Sequence, residues 1–267
     1  AIGQPELVPG AAIPCATDIA FSYLIARMLF PKGHPAIPFL LLLAIADDAM
    51  GLIILAVFYP SGPLSMLALF LWLTPAMGIA YAMRRRGVQN FWWYLLGPGV
   101  MSWIALFWGG LHPALALVPI LPFMPPALLH DFEHAWAVAV QFVLFAFGFA
   151  NAGVPLSAVG PVTWIVMAGL IIGKPAGIVG MTMAAERIGF RRAPGLDLRS
   201  LIALGVMAGI GFTVALFFTT AAFEPGLIQD EAKMGALLSF LAAPLALVVG
   251  RLLRVHRPAE AAPPQTA

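Results

Sequence analysis

The sequence is poor in charged residues and in cysteine. Asp, Glu, Lys and Arg make up 10% of the 267 residues, whereas soluble domains contain roughly 25%. Apolar runs recur from end to end and leave no room for a soluble domain. The single cysteine, Cys15, excludes an internal disulfide. The net charge of +2 is too small to indicate nucleic acid as a partner.

Hydrophobic residues make up 61% of the chain and fall into long runs. Roughly 20 consecutive apolar residues are enough to cross a lipid bilayer as a helix. The sequence therefore predicts an all-α membrane protein, a polytopic helical bundle whose membrane domain covers residues 12–254. Residues 1–11 are predicted as an extracytoplasmic segment and residues 255–267 as a disordered cytoplasmic tail. The nine predicted segments are 12–31, 38–58, 64–83, 91–107, 113–125, 135–150, 161–185, 201–223 and 234–252.

The distribution of basic residues supports these nine crossings. If the connections alternate between the two sides, twelve of the fourteen Lys and Arg residues fall on the side of the Arg84-Arg85-Arg86 loop. Basic residues accumulate on the cytoplasmic side of membrane proteins. This pattern predicts an N-terminus outside and a C-terminus in the cytoplasm. The other side receives only one basic residue, together with the acidic residues Glu6, Glu224, Asp230 and Glu231.

Four ionisable residues lie well away from the ends of the predicted membrane segments: Asp18, Asp47, Asp48 and Lys174. Charged side chains are costly at this depth and usually mark ion or substrate pathways. The alternative is that the four residues form structural ion pairs between helices. Three carboxylates and one lysine in a chain so poor in charge favour the functional interpretation.

The chemistry of these residues suits a cation that exchanges with protons. Carboxylate oxygens are hard ligands for Na⁺ or Li⁺, and a hydroxyl such as that of Thr17 can complete the coordination shell. Removal from water disfavours the charged form of a carboxyl group, so such a group can hold either a proton or a cation. Because adjacent helical residues point about 100° apart, one of Asp47 and Asp48 can bind the cation while the other pairs with Lys174.

Two segments contain helix-breaking residues at mid-depth. The first contains Pro14 and Asp18, and the eighth contains Gly205, Gly209 and Gly211. Irregular backbone at membrane depth survives only where protein or a water-filled cavity covers it. The alternative interpretation is that the glycines permit close helix packing.

Five short motifs, spread over about residues 10–255, together resemble those of NhaA-type Na⁺/H⁺ antiporters in order and approximate spacing. The fold expected from this resemblance contains inverted repeats and two broken helices that cross near the middle of the membrane. The motifs are ATDIAF at 16–21, DDAMG at 47–51, FGFANAGV at 147–154, GKP at 173–175 and GIGFT at 209–213.

The resemblance implies a role for each matched residue. Asp48 is expected to be the primary cation ligand and Asp47 the partner of Lys174. Asp18 and Thr17 match the crossing of the first broken helix, where Asp18 would offset the positive ends of two half-helices. The region around Gly205, Gly209 and Gly211 matches the second broken helix.

The resemblance also implies the activity and its setting. The expected protein is a secondary transporter rather than an enzyme, and it exchanges intracellular Na⁺ or Li⁺ for external protons without a cofactor. Exchange would be electrogenic and pH-regulated, and the protein would lie in the bacterial inner membrane.

Three further residues match positions that the family uses in its pH response. His112 is one of them, and a solvated histidine beside Pro113 is an equally good interpretation. Glu133 and His134 match a cytoplasmic pH-sensing cluster, and a solvated loop is the alternative. Ala137 stands where the family cluster has a further histidine.

The family fold has twelve transmembrane helices, whereas this sequence predicts nine. We therefore expect the sequence to lack the first three helices, and with them much of the surface that forms the family's homodimer. Two other interpretations remain open. One is a fragment that does not transport, and the other is an intramembrane aspartyl protease that activates water with two carboxylates.

Overall fold

The computed structural model describes residues 5–15, 17–59 and 62–255. Within these ranges every regular element is a helix, so the predicted all-α polytopic fold is confirmed. The α-helices are α1 (Ile19–Leu29), α2 (Ala36–Phe58), α3 (Met66–Arg85), α4 (Phe91–Tyr94), α5 (Val100–Gly109), α6 (Pro126–Asn151), α7 (Pro161–Ala168), α8 (Lys174–Arg187), α9 (Leu198–Ala208), α10 (Phe212–Ala222), α11 (Leu227–Leu238) and α12 (Ala242–Leu252).

Five helical stretches in the described part of the chain are long and apolar enough to cross a membrane. Two further pairs of helices pass the same test together but bend at a short break, which raises the number to seven. The predicted segment 91–107 forms a continuous helical run in which a π-turn joins α4 to α5. The five stretches are Ala36–Ile54, Met66–Arg85, Pro126–Asn151, Pro161–Arg187 and Leu227–Leu252.

The first bent pair begins earlier than the sequence predicts. A 3₁₀ helix, Pro5–Cys15, precedes α1, and the two axes differ by 42°. Pro9 and Pro14 lie inside this helix and have no N–H to donate to an α-helical hydrogen bond. Residues 5–11 are helical and continuous with residues 12–15, and their extracytoplasmic position stays a prediction. Apart from Val255, the predicted tail lies outside the described residues.

Residues 113–125, predicted as a crossing helix, form turns instead. The segment contains two three-residue 3₁₀ helices, Pro113–Leu115 and Leu121–Phe123. Proline cannot donate a backbone hydrogen bond and clashes with the preceding helical turn. The segment has four prolines in thirteen residues, which explains why no α-helix forms: Pro113, Pro119, Pro122 and Pro125.

This irregular segment nevertheless runs the full length of α3. Gly110 packs against Pro63, just before α3 begins. At the other end of α3, the Arg84 guanidinium donates a 2.8 Å hydrogen bond to the Pro122 carbonyl. A helix of 20 residues is about 30 Å long, so the segment covers the same depth. Ile120 is fully buried on the way, as irregular backbone in a membrane requires.

Two helices start earlier than predicted and take polar residues with them. Helix α6 begins at Pro126 and includes Glu133 and His134, so the interpretation of these two residues as part of a loop is wrong. Helix α11 begins at Leu227 and includes Glu231, which the sequence placed in a connection outside the membrane. In both cases charged residues in the first turns lower the local hydropathy, so the apolar run starts later than the helix itself.

The chain divides into two compact units. One comprises residues 1–51 and 148–267, and the other comprises residues 52–147. The core of the first unit includes Leu29, Leu40 and Met207, together with Ala203, Leu204 and Ala246. The core of the second surrounds Tyr94 and Ile120. The predicted residues Thr17, Asp18, Asp47, Asp48 and Lys174 all belong to the first unit.

Candidate functional site

The breaks in the two bent pairs lie against each other. Helices α9 and α10 differ in direction by 51°. The Asp18 amide, at the first break, donates a 2.7 Å hydrogen bond to the Ile210 carbonyl in the second. One turn further along α1, the Ser22 hydroxyl donates to the Met207 carbonyl at 2.9 Å. The breaks leave backbone carbonyl and amide groups without a helical partner. These groups form hydrogen bonds with the other bent pair instead.

The Asp18 carboxylate lies at the N-termini of two helices. Its Oδ1 accepts a 3.3 Å hydrogen bond from the Phe21 amide in the first turn of α1. Its Oδ2 accepts hydrogen bonds from the Thr213 amide at 3.2 Å and the Thr213 hydroxyl at 2.7 Å, in the first turn of α10. Each helix N-terminus carries a partial positive charge, so one carboxylate offsets both.

The Lys174 ammonium lies in a cluster of oxygen atoms and is only 6% exposed. It is 3.1 Å from Asp47 Oδ2 and donates a 2.9 Å hydrogen bond to the Cys15 carbonyl. It also donates to the Thr17 hydroxyl, which in turn donates to Asp47 Oδ2 at 2.9 Å. Lys174 and Asp47 therefore interact both directly and through the Thr17 hydroxyl.

Asp48 has a different environment from its neighbour. Its Oδ1 is buried and has no hydrogen-bond partner among the described residues. Lys174, Asp47 and Asp18 are close enough to interact with it electrostatically. A buried acceptor without a partner is costly, so Asp48 has an oxygen available to a proton or a cation.

The glycines of the second broken pair form the packing surface for the helix that carries Lys174. A Cβ atom at Gly209 would lie 2.6 Å from the Leu170 carbonyl oxygen, and one at Gly205 would lie 3.1 Å from Pro175 Cα. Leu170 belongs to a π-helical turn, Gly169–Gly173, that ends directly before Lys174. The glycines therefore allow close helix packing at the same place where the helix breaks, so the two interpretations of these residues are not alternatives.

Gly211 lies at the break itself. It occupies the N-cap position of α10, and its amide donates to the buried Ser239 hydroxyl at 3.3 Å. Its carbonyl accepts a 2.6 Å hydrogen bond from Ala215.

The residues predicted for the pH response lie in the second unit. His112 Nδ1 accepts a 3.3 Å hydrogen bond from the Ala114 amide, and burial lowers the pKa of its imidazole below 6.5. Glu133 and His134 are exposed on α6, where the rings of His130 and His134 meet edge to face at 4.6 Å. His112 is therefore partly shielded from water, whereas Glu133 and His134 are solvent-accessible on the protein surface.

Sequence reasoning did not identify Glu231 as a buried residue. Glu231 is 8% exposed, and its carboxylate accepts a 2.9 Å hydrogen bond from the Val162 amide at the start of α7. Its carbonyl accepts another from the Thr163 hydroxyl. The partners are 68 and 69 residues away in the sequence, so no local pattern reveals the contact. Thr213 and the Cys15 carbonyl were also missed as partners, although both lie within the broken segments.

Comparison with known proteins agrees with this geometry. A family model described as Na⁺/H⁺ antiporter 1 matches residues 1–252. Na(+)/H(+) antiporter NhaA 2 of Pelobacter propionicus is 49% identical over 96% of this chain and 72% of its own length. Na(+)/H(+) antiporter NhaA of Geobacter sulfurreducens is 46% identical over 96% of this chain and 72% of its own length. The corresponding protein of Jannaschia sp. is 46% identical over 93% of this chain and 67% of its own length.

The family match covers the bent pairs as well as the Asp47, Asp48 and Lys174 positions. The long apolar helices agree with a protein that crosses the membrane several times. The chain is therefore a multi-pass membrane protein that belongs to the Na⁺/H⁺ antiporter 1 family.

Proposed function

We propose that this chain exchanges intracellular Na⁺ or Li⁺ for external protons across the bacterial inner membrane. Exchange is electrogenic and pH-regulated and proceeds by alternating access around the partly buried aspartates, with the C-terminus in the cytoplasm. The names of the relatives support sodium/proton antiport. The remaining features rest on the chemistry of the site.

The contrast between the two adjacent carboxylates is the main observation behind the proposal. Asp47 is paired with Lys174 and accepts a hydrogen bond from Thr17. Asp48 Oδ1 is buried and has no protein partner among the described residues. Asp48 is therefore the carboxylate that can take a cation from solution.

The oxygen-rich surroundings fit a hard monovalent cation. Within the described part of the chain, no three His, Cys, Asp or Glu side chains are grouped as metal ligands. A Na⁺ ion at Asp48 therefore takes its other oxygens from Asp47 and from hydroxyl and carbonyl groups. A shell with few charged ligands suits weak and reversible binding, which transport requires.

Competition between ions couples the two fluxes. A carboxylate oxygen of Asp48 holds either a proton or a cation, and the two cannot occupy it together. When a cation also attracts Asp47, Lys174 loses its ion pair and can release its own proton. More than one proton per cation makes the exchange electrogenic, and moving one charge across 100 mV is worth about 2.3 kcal/mol.

The test uses everted membrane vesicles that contain the chain and a pH-sensitive fluorescent dye. After respiration acidifies the vesicles, addition of Na⁺ or Li⁺ should restore the fluorescence. Asp48→Asn should abolish this response, because the amide has no negative charge to hold the cation. Glu224→Gln is the matched control, since Glu224 is an exposed carboxylate at the start of the loop before α11, and it should respond like the unchanged chain.

Two results would contradict the proposal. If the unchanged chain gives no cation-dependent response while it is present and folded in the vesicles, it does not transport. If Asp48→Asn responds as strongly as Glu224→Gln, another residue binds the cation. Imposing a membrane potential with K⁺ and valinomycin tests electrogenicity separately, because only an electrogenic exchanger changes its rate.

A further inference from the structure

A groove opens where α1 ends and the chain turns into α2. We call it the α1–α2 groove and define it by Tyr23, Arg27, Lys32, Gly33 and His34. Its volume is about 350 Å³, within the range of roughly 300–1,000 Å³ that small-molecule sites occupy. The groove lies where two membrane helices meet, and none of Asp47, Asp48 and Lys174 lines it.

The charged groups in the groove are of one sign. Arg27 and Lys32 form no ion pair with any described residue. The Arg27 guanidinium lies over the Tyr23 ring at 5.7 Å, which holds it beside the groove and leaves its N–H donors available. No Asp or Glu among the described residues lines the groove, although Asp197 acts electrostatically on His34.

The side chains of two other basic residues make a useful comparison. Arg84 donates to the Pro122 carbonyl at 2.8 Å, and Arg85 donates to the Tyr81 hydroxyl at 2.8 Å. Those guanidinium groups already use donors within the protein. Arg27 and Lys32 make no such hydrogen bond within the described residues, so their donors remain for a ligand.

The backbone of the turn adds further donors. The His34 amide donates to the Pro31 carbonyl at 3.1 Å, which closes a tight turn. Gly33 has a φ of +83°, and a Cβ atom added there would meet nothing within 4 Å. The amides of Lys32 and Gly33 donate to no acceptor among the described residues. Two backbone donors thus stand beside two unpaired cationic side chains.

We propose that the α1–α2 groove binds a phosphate group. Guanidinium and ammonium groups with backbone N–H donors are the groups that proteins use to hold phosphate, and the groove contains all three. At the end of membrane helices, the phosphate of an anionic phospholipid headgroup lies at the same level. A soluble phosphate ester carries the same phosphate group, and the experiment distinguishes a lipid headgroup from a soluble ligand.

The test measures ligand retention by the full chain in detergent with native mass spectrometry. The probes are phosphatidylglycerol, zwitterionic phosphatidylcholine and inorganic phosphate. The test variant is Arg27→Gln combined with Lys32→Gln. The control is Arg187→Gln combined with Arg191→Gln, which removes the same charge from two basic residues that do not line the groove. Thermal unfolding of each variant checks that it is folded.

Phosphatidylglycerol should bind the unchanged chain more tightly than phosphatidylcholine. The groove variant should bind it about thirtyfold more weakly, since each basic residue near an anionic lipid contributes about a factor of five. The control should keep the affinity of the unchanged chain. If inorganic phosphate displaces the lipid, the phosphate group alone is recognised; if it does not, the source is the lipid headgroup. Equal losses in both double variants, or no preference for phosphatidylglycerol, would overturn the proposal.

Discussion

Asp18 is a single side chain on which two helices depend. Its carboxylate accepts hydrogen bonds from the first turns of α1 and of α10, and its own amide is bonded to Ile210. In most helices an N-cap residue serves only the helix that follows it. Here the cap also joins two chain segments that are 195 residues apart.

Replacing Asp18 should therefore cost about twice as much as losing an ordinary cap. Asp18→Ala is expected to lower the free energy of unfolding by about 2 kcal/mol, because one N-cap is worth about 1 kcal/mol. The matched variant is Asp197→Ala, since Asp197 caps only α9 through a 2.8 Å bond from the Ser200 amide. Denaturant titrations in detergent measure both losses. Equal losses would show that the second helix gains nothing from Asp18.

His34 gives the stability of the protein a dependence on pH. Burial lowers the pKa of its imidazole below 6.5, although neighbouring Asp197 raises it. In the window between the lowered value and 6.5, the unfolded chain binds a proton that the folded chain does not. The contribution of His34 to the free energy of unfolding is therefore fully present above pH 6.5 and is lost as the pH falls through that window.

The comparison of the unchanged chain with His34→Asn isolates this effect. Asparagine can still accept the hydrogen bond that the Ala36 amide donates to His34 Nδ1, but it does not titrate. Unfolding free energies measured at about pH 7.5 and about pH 5.5 should fall more for the unchanged chain than for the variant. His112, which also has a lowered pKa, is present in both proteins and cancels. A larger fall in the variant would mean that His34 favours the folded protein at low pH instead.

At the scale of elements, the Lys174 helix depends on glycines of another helix. Its π-turn, Gly169–Gly173, packs on Gly209, and Pro175 packs on Gly205. π-turns occur often at functional sites. The position of the Lys174 ammonium therefore depends on how closely α9 and this turn approach.

Gly209→Ala should disturb this contact. The added Cβ would lie 2.6 Å from the Leu170 carbonyl, and overpacking of this kind costs about 1–3 kcal/mol. Cation-dependent exchange should fall together with the melting temperature. Gly177→Ala is the control, because Gly177 lies in α8 and its Cβ would meet nothing within 4 Å. If both variants behave alike in the vesicle and melting assays, close packing at Gly209 is not what positions Lys174.

The sequence revealed some elements and not others, for physical reasons. It located the breaks because the Pro14 and Gly209 motifs are local. It could not show that Thr213 shares Asp18 with α1, because that contact depends on how distant segments cross. Hydropathy placed the start of α11 seven residues too late, since Glu231 looks solvated until the start of α7 is placed against it. The four prolines of 113–125 were visible, but the apolar composition outweighed them in the prediction of a helix.

At the scale of the whole molecule, the number of crossings determines which loops share a side of the membrane. The sequence places the loop at Arg86 and the loop at Arg191 on one side, with four crossings between them. Residues 113–125 are one of the four, although they form no α-helix. The nine crossings as a whole remain a prediction.

Cysteine labelling of the chain in intact cells can test this arrangement. In a Cys15→Ser background, Arg86→Cys and Arg191→Cys should both be protected from a membrane-impermeant thiol reagent. Glu224→Cys should react, because an odd number of predicted crossings separates it from Arg191. If Arg86→Cys and Arg191→Cys differ in labelling, an odd number of crossings separates them, and the predicted arrangement with four crossings is wrong.

The irregular path from Gly110 to Pro122 also restricts how the protein can be made. A helix can pass singly from the insertion machinery into lipid, because its backbone hydrogen bonds are internal. Residues 113–125 bond most of their amides within short turns, but the Pro122 carbonyl takes its hydrogen bond from Arg84 of α3. Each unsatisfied backbone group in hydrocarbon costs several kcal/mol. The Arg84–Pro122 hydrogen bond and the packing of Ile120 beside Ala76 and Ala80 of α3 form only when α3 is already in place. We therefore expect α3 to stay beside the insertion machinery until this segment emerges, so that the two enter the lipid together.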